Sequence, residues 1–127
     1  MDNLQVSDVK VFVPTLDFDT SLNFYTALGW SVNWHHESLA EIELANIRLY
    51  LQKFYAKEWA ENFMIYVDVT DANSWYEHVR HILMKDNFPN AKVQPPKEES
   101  YGAVVTYVWD PCGVLIHFAQ TTIPIET

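Results

Sequence analysis

Five histidines, one cysteine and seventeen acidic residues are the groups in this chain that could bind a metal, attack an electrophile or move a proton. His117 is set apart from the rest because it is the one polar residue in the run 114–119, Val-Leu-Ile-His-Phe-Ala. Side chains alternate across a strand, so Val114, Ile116 and Phe118 point one way and Leu115, His117 and Ala119 the other. His117 is therefore either a satisfied core histidine or a residue facing a cavity. One imidazole makes no metal centre without further ligands. His35, His36 and Glu37 are consecutive in a strand or turn, where neighbours face opposite ways, and His78 and His81 stand three apart on a helix beside Glu77, the pattern of a solvated face. Cys112 lies in a turn with no histidine near it in sequence, which argues against a nucleophile. Three glycines leave no room for a phosphate-cradling loop.

The elements that must position these residues follow from periodicity. Residues 104–120 read as a closing β-hairpin, two β-branched and aromatic runs hinged on Asp110-Pro111-Cys112-Gly113. At the other end, residues 8–13 alternate Val9, Val11 and Val13 with Asp8, Lys10 and Phe12, which predicts a strand ended by Pro14. Asp17 or Asp19 caps a helix through about Leu28, stopped by Gly29. Residues 30–35, 39–44 and 47–53 are three short strands, the last two joined by an Ala45-Asn46 turn. After a polar connection over 54–62, with a possible short turn of helix, the order recurs. Residues 63–69 are a strand, Asp71 caps a helix to about Met84 with Trp75, Val79, Ile82 and Leu83 on one side, and 86–100 is irregular apart from a possible small strand over 92–94. The capping aspartates are 52 to 54 positions apart, so the chain reads as two βαβββ modules, about 6–53 and 63–120, in a single α+β domain over 1–127.

Composition bounds the function. The 127 residues are 49% hydrophobic and 15% aromatic, ample for one core. A net charge of −9 disfavours nucleic acid and favours neutral or cationic partners. A lone cysteine allows no intrachain disulfide, and with no secretory leader pattern and no apolar run of spanning length, a cytoplasmic protein with no membrane partner is expected.

The residues Val13-Pro14, Ser21-Leu22-Asn23-Phe24-Tyr25, Leu28-Gly29-Trp30, Asp110-Pro111-Cys112-Gly113 and Ile116-His117-Phe118, in this order and spacing, resemble the vicinal oxygen chelate superfamily of glyoxalases, extradiol dioxygenases and bleomycin-resistance proteins. The resemblance covers about 6–120 and implies two βαβββ modules whose curved mixed sheets surround a cleft. Enzymes of the superfamily hold a metal on their first and last strands. By motif those positions fall at Asp8, at or near Tyr50, at Met64 and at His117, of which only Asp8 and His117 suit a metal, so neither a metal nor another cofactor is expected.

The pattern Asp110-Pro111-Cys112-Gly113 through His117-Phe118, with Tyr101-Gly102 upstream, is most similar to the bleomycin-resistance branch. It departs from that branch at Val114, where asparagine is usual, and at Leu39, where an aromatic is frequent. The resemblance implies a non-enzymatic homodimer conferring antibiotic resistance by sequestering a cationic, aromatic small molecule in grooves between subunits. The alternatives are a divergent metal-dependent lyase or dioxygenase and a ligand-sensing or interaction dimer.

Alternation gives the sheets a core side of Val9, Val11, Leu49, Leu51, Ile65, Val67 and Ile116. The opposite side carries Asp8, Lys10, Phe12, Arg48, Tyr50, Gln52, Met64, Tyr66, Asp68, Leu115 and His117, a mixture too polar for a core and fit for stacking and cation–π contact. Carried over by motif, Trp34 and Leu39 wall the groove, Gln52 and Tyr66 floor it, and Tyr101 comes from a loop of the other chain. The candidate ligand-binding residues are thus Trp34, Leu39, Tyr50, Gln52, Tyr66, Asp68, Tyr101 and His117.

Overall fold

A computed structural model describes residues 3–122. Strand β1 (Val11–Pro14) is followed by α1 (Phe18–Leu28), β2 (Ser31–His35), β3 (Leu39–Leu44) and β4 (Ile47–Gln52). A short α2 (Lys57–Glu61) leads to β5 (Met64–Asp68), α3 (Ala72–Lys85), β6 (Lys92–Val93), β7 (Lys97–Glu99), β8 (Ala103–Trp109) and β9 (Leu115–Thr121). Both long helices start where an aspartate replaces missing backbone partners. Asp17 accepts the N–H of Thr20 at 3.1 Å, and Asp71 accepts those of Asn73 and Ser74 at 3.0 and 3.1 Å. Helix α1 stops at Gly29, whose φ of 125° favours glycine.

The strands form two mixed sheets, β1-β4-β3-β2 and β5-β9-β8-β6, with β7 also paired to β8. In each half the first strand crosses over through a helix and lies parallel to the last: β1 against β4, β5 against β9. The repeat absent from residue identity is thus present in topology. The inner faces of both sheets and both long helices share one core that includes Val13, Phe24, Leu51, Val79, Ile116 and Phe118. Trp75 of α3 stacks on Phe118 with centroids 4.3 Å apart, and His78 donates from Nε2 to the Leu28 carbonyl at 3.1 Å. His78 therefore ties α3 to the end of α1, where the sequence pattern pointed only to a solvated face.

The closing hairpin is anchored by Asp110, which is fully buried. Its Oδ1 accepts the N–H groups of Cys112 and Val114 at 2.7 and 3.0 Å, and its Oδ2 accepts the hydroxyl of buried Tyr25 at 2.7 Å. One carboxylate thereby shapes the turn of the second half and bolts it to the helix of the first.

Two expectations fail at the edges. The predicted strand over 8–13 begins only at Val11, because Asp8 bonds its neighbour's N–H (Val9, 2.8 Å) and the Arg48 side chain, and such local bonds compete with a ladder. Val9 and Val11, assigned to the core side, are 73% and 47% exposed. The stretch 86–100 is more ordered than expected: besides β6 it contains β7, paired to β8 from Lys97↔Val105 to Glu99↔Ala103.

The turn between β3 and β4 has both central residues in the left-handed region, Ala45 at φ 50° and Asn46 at φ 71°. This geometry matches the twist of a two-residue hairpin but costs alanine free energy. Ala45→Gly is expected to stabilise the fold by roughly 0.5–1 kcal/mol in urea melts, despite glycine's extra unfolded-state entropy.

Candidate functional site

Because the inner faces of the sheets pack mostly into the core, the polar and aromatic side chains free for a ligand are chiefly those on the other faces. On the first sheet, cross-strand register builds a row Phe12, Tyr50, Glu41, Trp34. The Phe12 and Tyr50 rings are 5.3 Å apart edge to face, Tyr50 and Trp34 5.4 Å, and His36 stacks on Trp34 at 5.9 Å. Leu39 and Gln52 are direct partners one step along the same face. Around this row runs a charge network: Arg48 meets Asp8 at 2.8 Å and Glu43 at 3.4 Å, Lys10 meets Asp8 at 3.1 Å, and Asn33 donates to Glu41 at 2.8 Å and Glu43 at 3.0 Å. The Arg48 and Lys10 side chains hold the Asp8 carboxyl down at about 2.

On the second sheet the corresponding row is Tyr66, His117, Tyr107. His117 lies 5.6 Å from the Tyr66 ring and 5.0 Å from that of Tyr107, while Trp109 extends the row 6.5 Å beyond Tyr107. The imidazole is half-buried on the open face while Val114, Ile116 and Phe118 fill the core, so His117 faces outward. Its Nε2 is 3.4 Å from Met64 Sδ and its buried Nδ1 has no hydrogen-bond partner. Burial lowers its pKa and the Glu99 carboxylate raises it, with the first effect larger. Burial, then the neighbouring Tyr101 hydroxyl and Glu99, push Tyr107 up to about 12. Tyr101, in the turn between β7 and β8, also neighbours Tyr66, whose hydroxyl is raised by burial first and then by Tyr101 and Asp68.

The eight residues singled out from sequence thus fall into two clusters: Trp34, Leu39, Tyr50 and Gln52 on the first sheet, and Tyr66, Asp68, Tyr101 and His117 on the second. Gln52 and Tyr66, expected to share a floor, stand on different sheets of the chain. Tyr101 and Tyr66, expected to come from different chains, are neighbours within one. Sequence reasoning missed Glu41, Tyr107, Trp109 and Glu99. Tyr107 and Trp109 were legible as the outward-facing positions of a strand whose partner strand places His117 outward. Glu99 was not, because nothing in 86–100 marks β7 as a strand.

The residues at the superfamily's metal positions do not fit a catalytic metal. Asp8 is engaged by Arg48 and Lys10 and lies outside both sheets, Tyr50 and Met64 are poor ligands for a hard or borderline ion, and His117 stands on the second sheet. Among the described residues no three His, Cys, Asp or Glu side chains come together in a group able to hold a metal. The Cys112 thiol is buried and pushed up to about 12 by that burial and by Asp110, which keeps it an unreactive thiol. No described helix is long and apolar enough to cross a membrane.

No family model matches the chain, and no curated protein matches it in sequence. Solved structures do match in shape. A bleomycin resistance determinant encoded on transposon Tn5 superposes with a TM-score of 0.74 at 16% identity, over 93% of this chain and 100% of that one. A bleomycin-binding protein from Streptomyces verticillus, complexed with copper(II)-bleomycin, gives 0.72 at 19% identity over 96% and 100%. A lactoylglutathione lyase from Agrobacterium tumefaciens gives 0.66 at 12% identity over 91% and 95%. Binder and enzyme alike share this arrangement of two mixed sheets, and the chain has the vicinal oxygen chelate fold, with bleomycin-resistance proteins among its structural relatives.

Proposed function

We propose that the protein is a non-enzymatic homodimer that binds and sequesters a cationic, aromatic small molecule, as in resistance to an antibiotic of that chemistry. The observation that carries this is the pair of aromatic rows, Phe12-Tyr50-Trp34 and Tyr66-His117-Tyr107, each on the open face of its sheet beside carboxylates. Flat rings supply stacking and cation–π attraction, and the net charge of −9 favours a cation over long range. The bleomycin-binding structures show that this fold can serve a binding role, and the poor fit of Asp8, Tyr50, Met64 and His117 to a metal favours that role over a metal-dependent one.

The separation of the two rows supports the dimer. Both sheets turn their inner faces to one core, so within a chain the two rows do not form opposite walls of a groove. A second copy would bring the first-sheet row of one chain against the second-sheet row of the other. Phe12, Trp34, Met64 and Tyr66 are between 39% and 62% exposed, an apolar surface that association would cover. Light scattering at micromolar concentration is expected to give twice the chain mass of 14.8 kDa, and a single species at 14.8 kDa would overturn the dimer.

The functional test is a titration of the purified protein with cationic and anionic drugs, followed by tryptophan emission and thermal midpoint. Cationic heteroaromatic compounds are expected to shift both without added metal, and elemental analysis should find no stoichiometric transition metal. Response only to an anionic phosphonate or thiol conjugate with metal present would replace sequestration by the lyase or dioxygenase alternative.

A further inference from the structure

Glu41 is 9% exposed and stands between Tyr50 and Trp34, its register partners on the two neighbouring strands. A carboxylate so enclosed needs partners on both oxygens. Oε2 accepts from Asn33 at 2.8 Å, but Oε1 has Lys10 Nζ at 3.8 Å, beyond hydrogen-bond range. The same ammonium is 5.7 Å from the centroid of the Tyr50 ring. An amine of the chain itself thus occupies the place where an aromatic face and a carboxylate converge. Its one close partner is Asp8 at 3.1 Å, a partly exposed ion pair of the kind that contributes little, and the backbone adds no hold, since Lys10 precedes the first ladder pair, Val11↔Leu49, and residues 3–10 carry no strand.

We infer that Glu41, Tyr50 and Trp34 form a subsite for the ammonium or amidinium group of a ligand, and that Lys10 is its tethered occupant, which a ligand must displace. This rests on the sequestration reading and names the group that reads the ligand's charge. Arg48 does not take this place: its guanidinium is held by two carboxylates, Asp8 and Glu43, and only Lys10 reaches toward Glu41. Asp8, Glu41 and Glu43 face two cations while Lys10 is in place and one when it leaves, so its departure makes the face more attractive to an incoming cation.

Metal-free bleomycin and benzamidinium serve as probes, with affinity read from tryptophan emission and the contact region from NMR shifts of the Trp34 indole and the Tyr50 ring. Lys10→Met, which keeps the aliphatic stem, is expected to tighten both probes about five-fold at low salt, the size of one half-exposed ion pair. Lys10→Gln checks that the gain does not depend on one replacement. Glu41→Gln retains an acceptor for Asn33 and should weaken both probes about ten-fold or more. In the double variant the gain from Lys10→Met should vanish, because its target is gone. Unchanged or weaker binding in both Lys10 variants, or benzamidinium shifts at Tyr66 and His117 in place of Trp34 and Tyr50, overturns the subsite. If benzamidinium follows the expected pattern while bleomycin binds nothing, the subsite stands and sequestration of that drug falls. If bleomycin binds and neither residue matters, sequestration stands and the subsite falls.

Discussion

Asp110→Ala is expected to destabilise the protein by about 3 kcal/mol at pH 7, the largest loss from any single side chain considered. The substitution strands the buried Tyr25 hydroxyl and the N–H groups of Cys112 and Val114, each unmet donor costing roughly 1–3 kcal/mol. Relief of the buried charge offsets part of that sum. Desolvation raises the Asp110 carboxyl to about 6 against the lowering effect of its hydrogen bonds, so the ionised form is the costlier one in the fold. The folded state therefore binds more protons than the unfolded state between the ordinary aspartate value of 3.8 and about 6. Over that window wild-type stability should fall as pH rises, by up to about 3 kcal/mol from this group, and level off above it. Asp8, Glu43 and Asp71 act in the opposite sense, since their lowered values favour the fold above the normal carboxylate range and lose that contribution as pH falls below it. Urea melts from pH 4 to 7 check this. Asp110→Asn, which keeps one acceptor, should lose less and flatten the slope between pH 4 and 6. A slope unchanged in that variant would show that Asp110 is not its source.

Tyr66→Ala and Tyr101→Ala are each expected to weaken a cationic heteroaromatic ligand by about 1–3 kcal/mol, and together to nearly abolish binding with the fold intact. Tyr66 is 51% and Tyr101 55% exposed, so neither supports the core, and truncation should leave the thermal midpoint of the free protein almost unmoved. The two hydroxyls are close enough to influence each other electrostatically, so the two losses need not add. Kinetics separates field from contact. Raising salt should slow association by screening the net charge of −9, whereas losing a ring should speed dissociation. Stopped-flow emission at two ionic strengths distinguishes them. Single variants that bind as tightly as wild type would remove the second-sheet row from the site.

Much of the architecture was legible before any coordinates. The helices begin at Asp17 and Asp71 and the first ends at Gly29, because a cap is an interaction within one helical turn and its residues are adjacent in sequence. The closing hairpin was legible for the same reason: Asp110, Pro111 and Gly113 supply an acceptor, a fixed φ and a left-handed residue within four positions. The strand over 8–13 failed where a distant charge intervened. Arg48, forty residues away, binds Asp8, and no periodicity in residues 8–13 reports that.

By itself, then, the sequence determined the order of elements apart from β7, the two-module repeat and the separation of each strand into unlike faces, since caps, turns and alternation depend on near neighbours. Only the tertiary structure decided which residues share a face with which. Alternation says that Tyr50 and Tyr66 oppose the core, but the packing of both inner faces on one core puts them on separate sheets. Glu41 sits between Tyr50 and Trp34 through the register of three successive strands, and Tyr101 comes within electrostatic reach of Tyr66, thirty-five residues earlier, only in the folded chain. A binding face is made of such pairings, and its members are brought together by register and long-range burial, which no local spacing encodes.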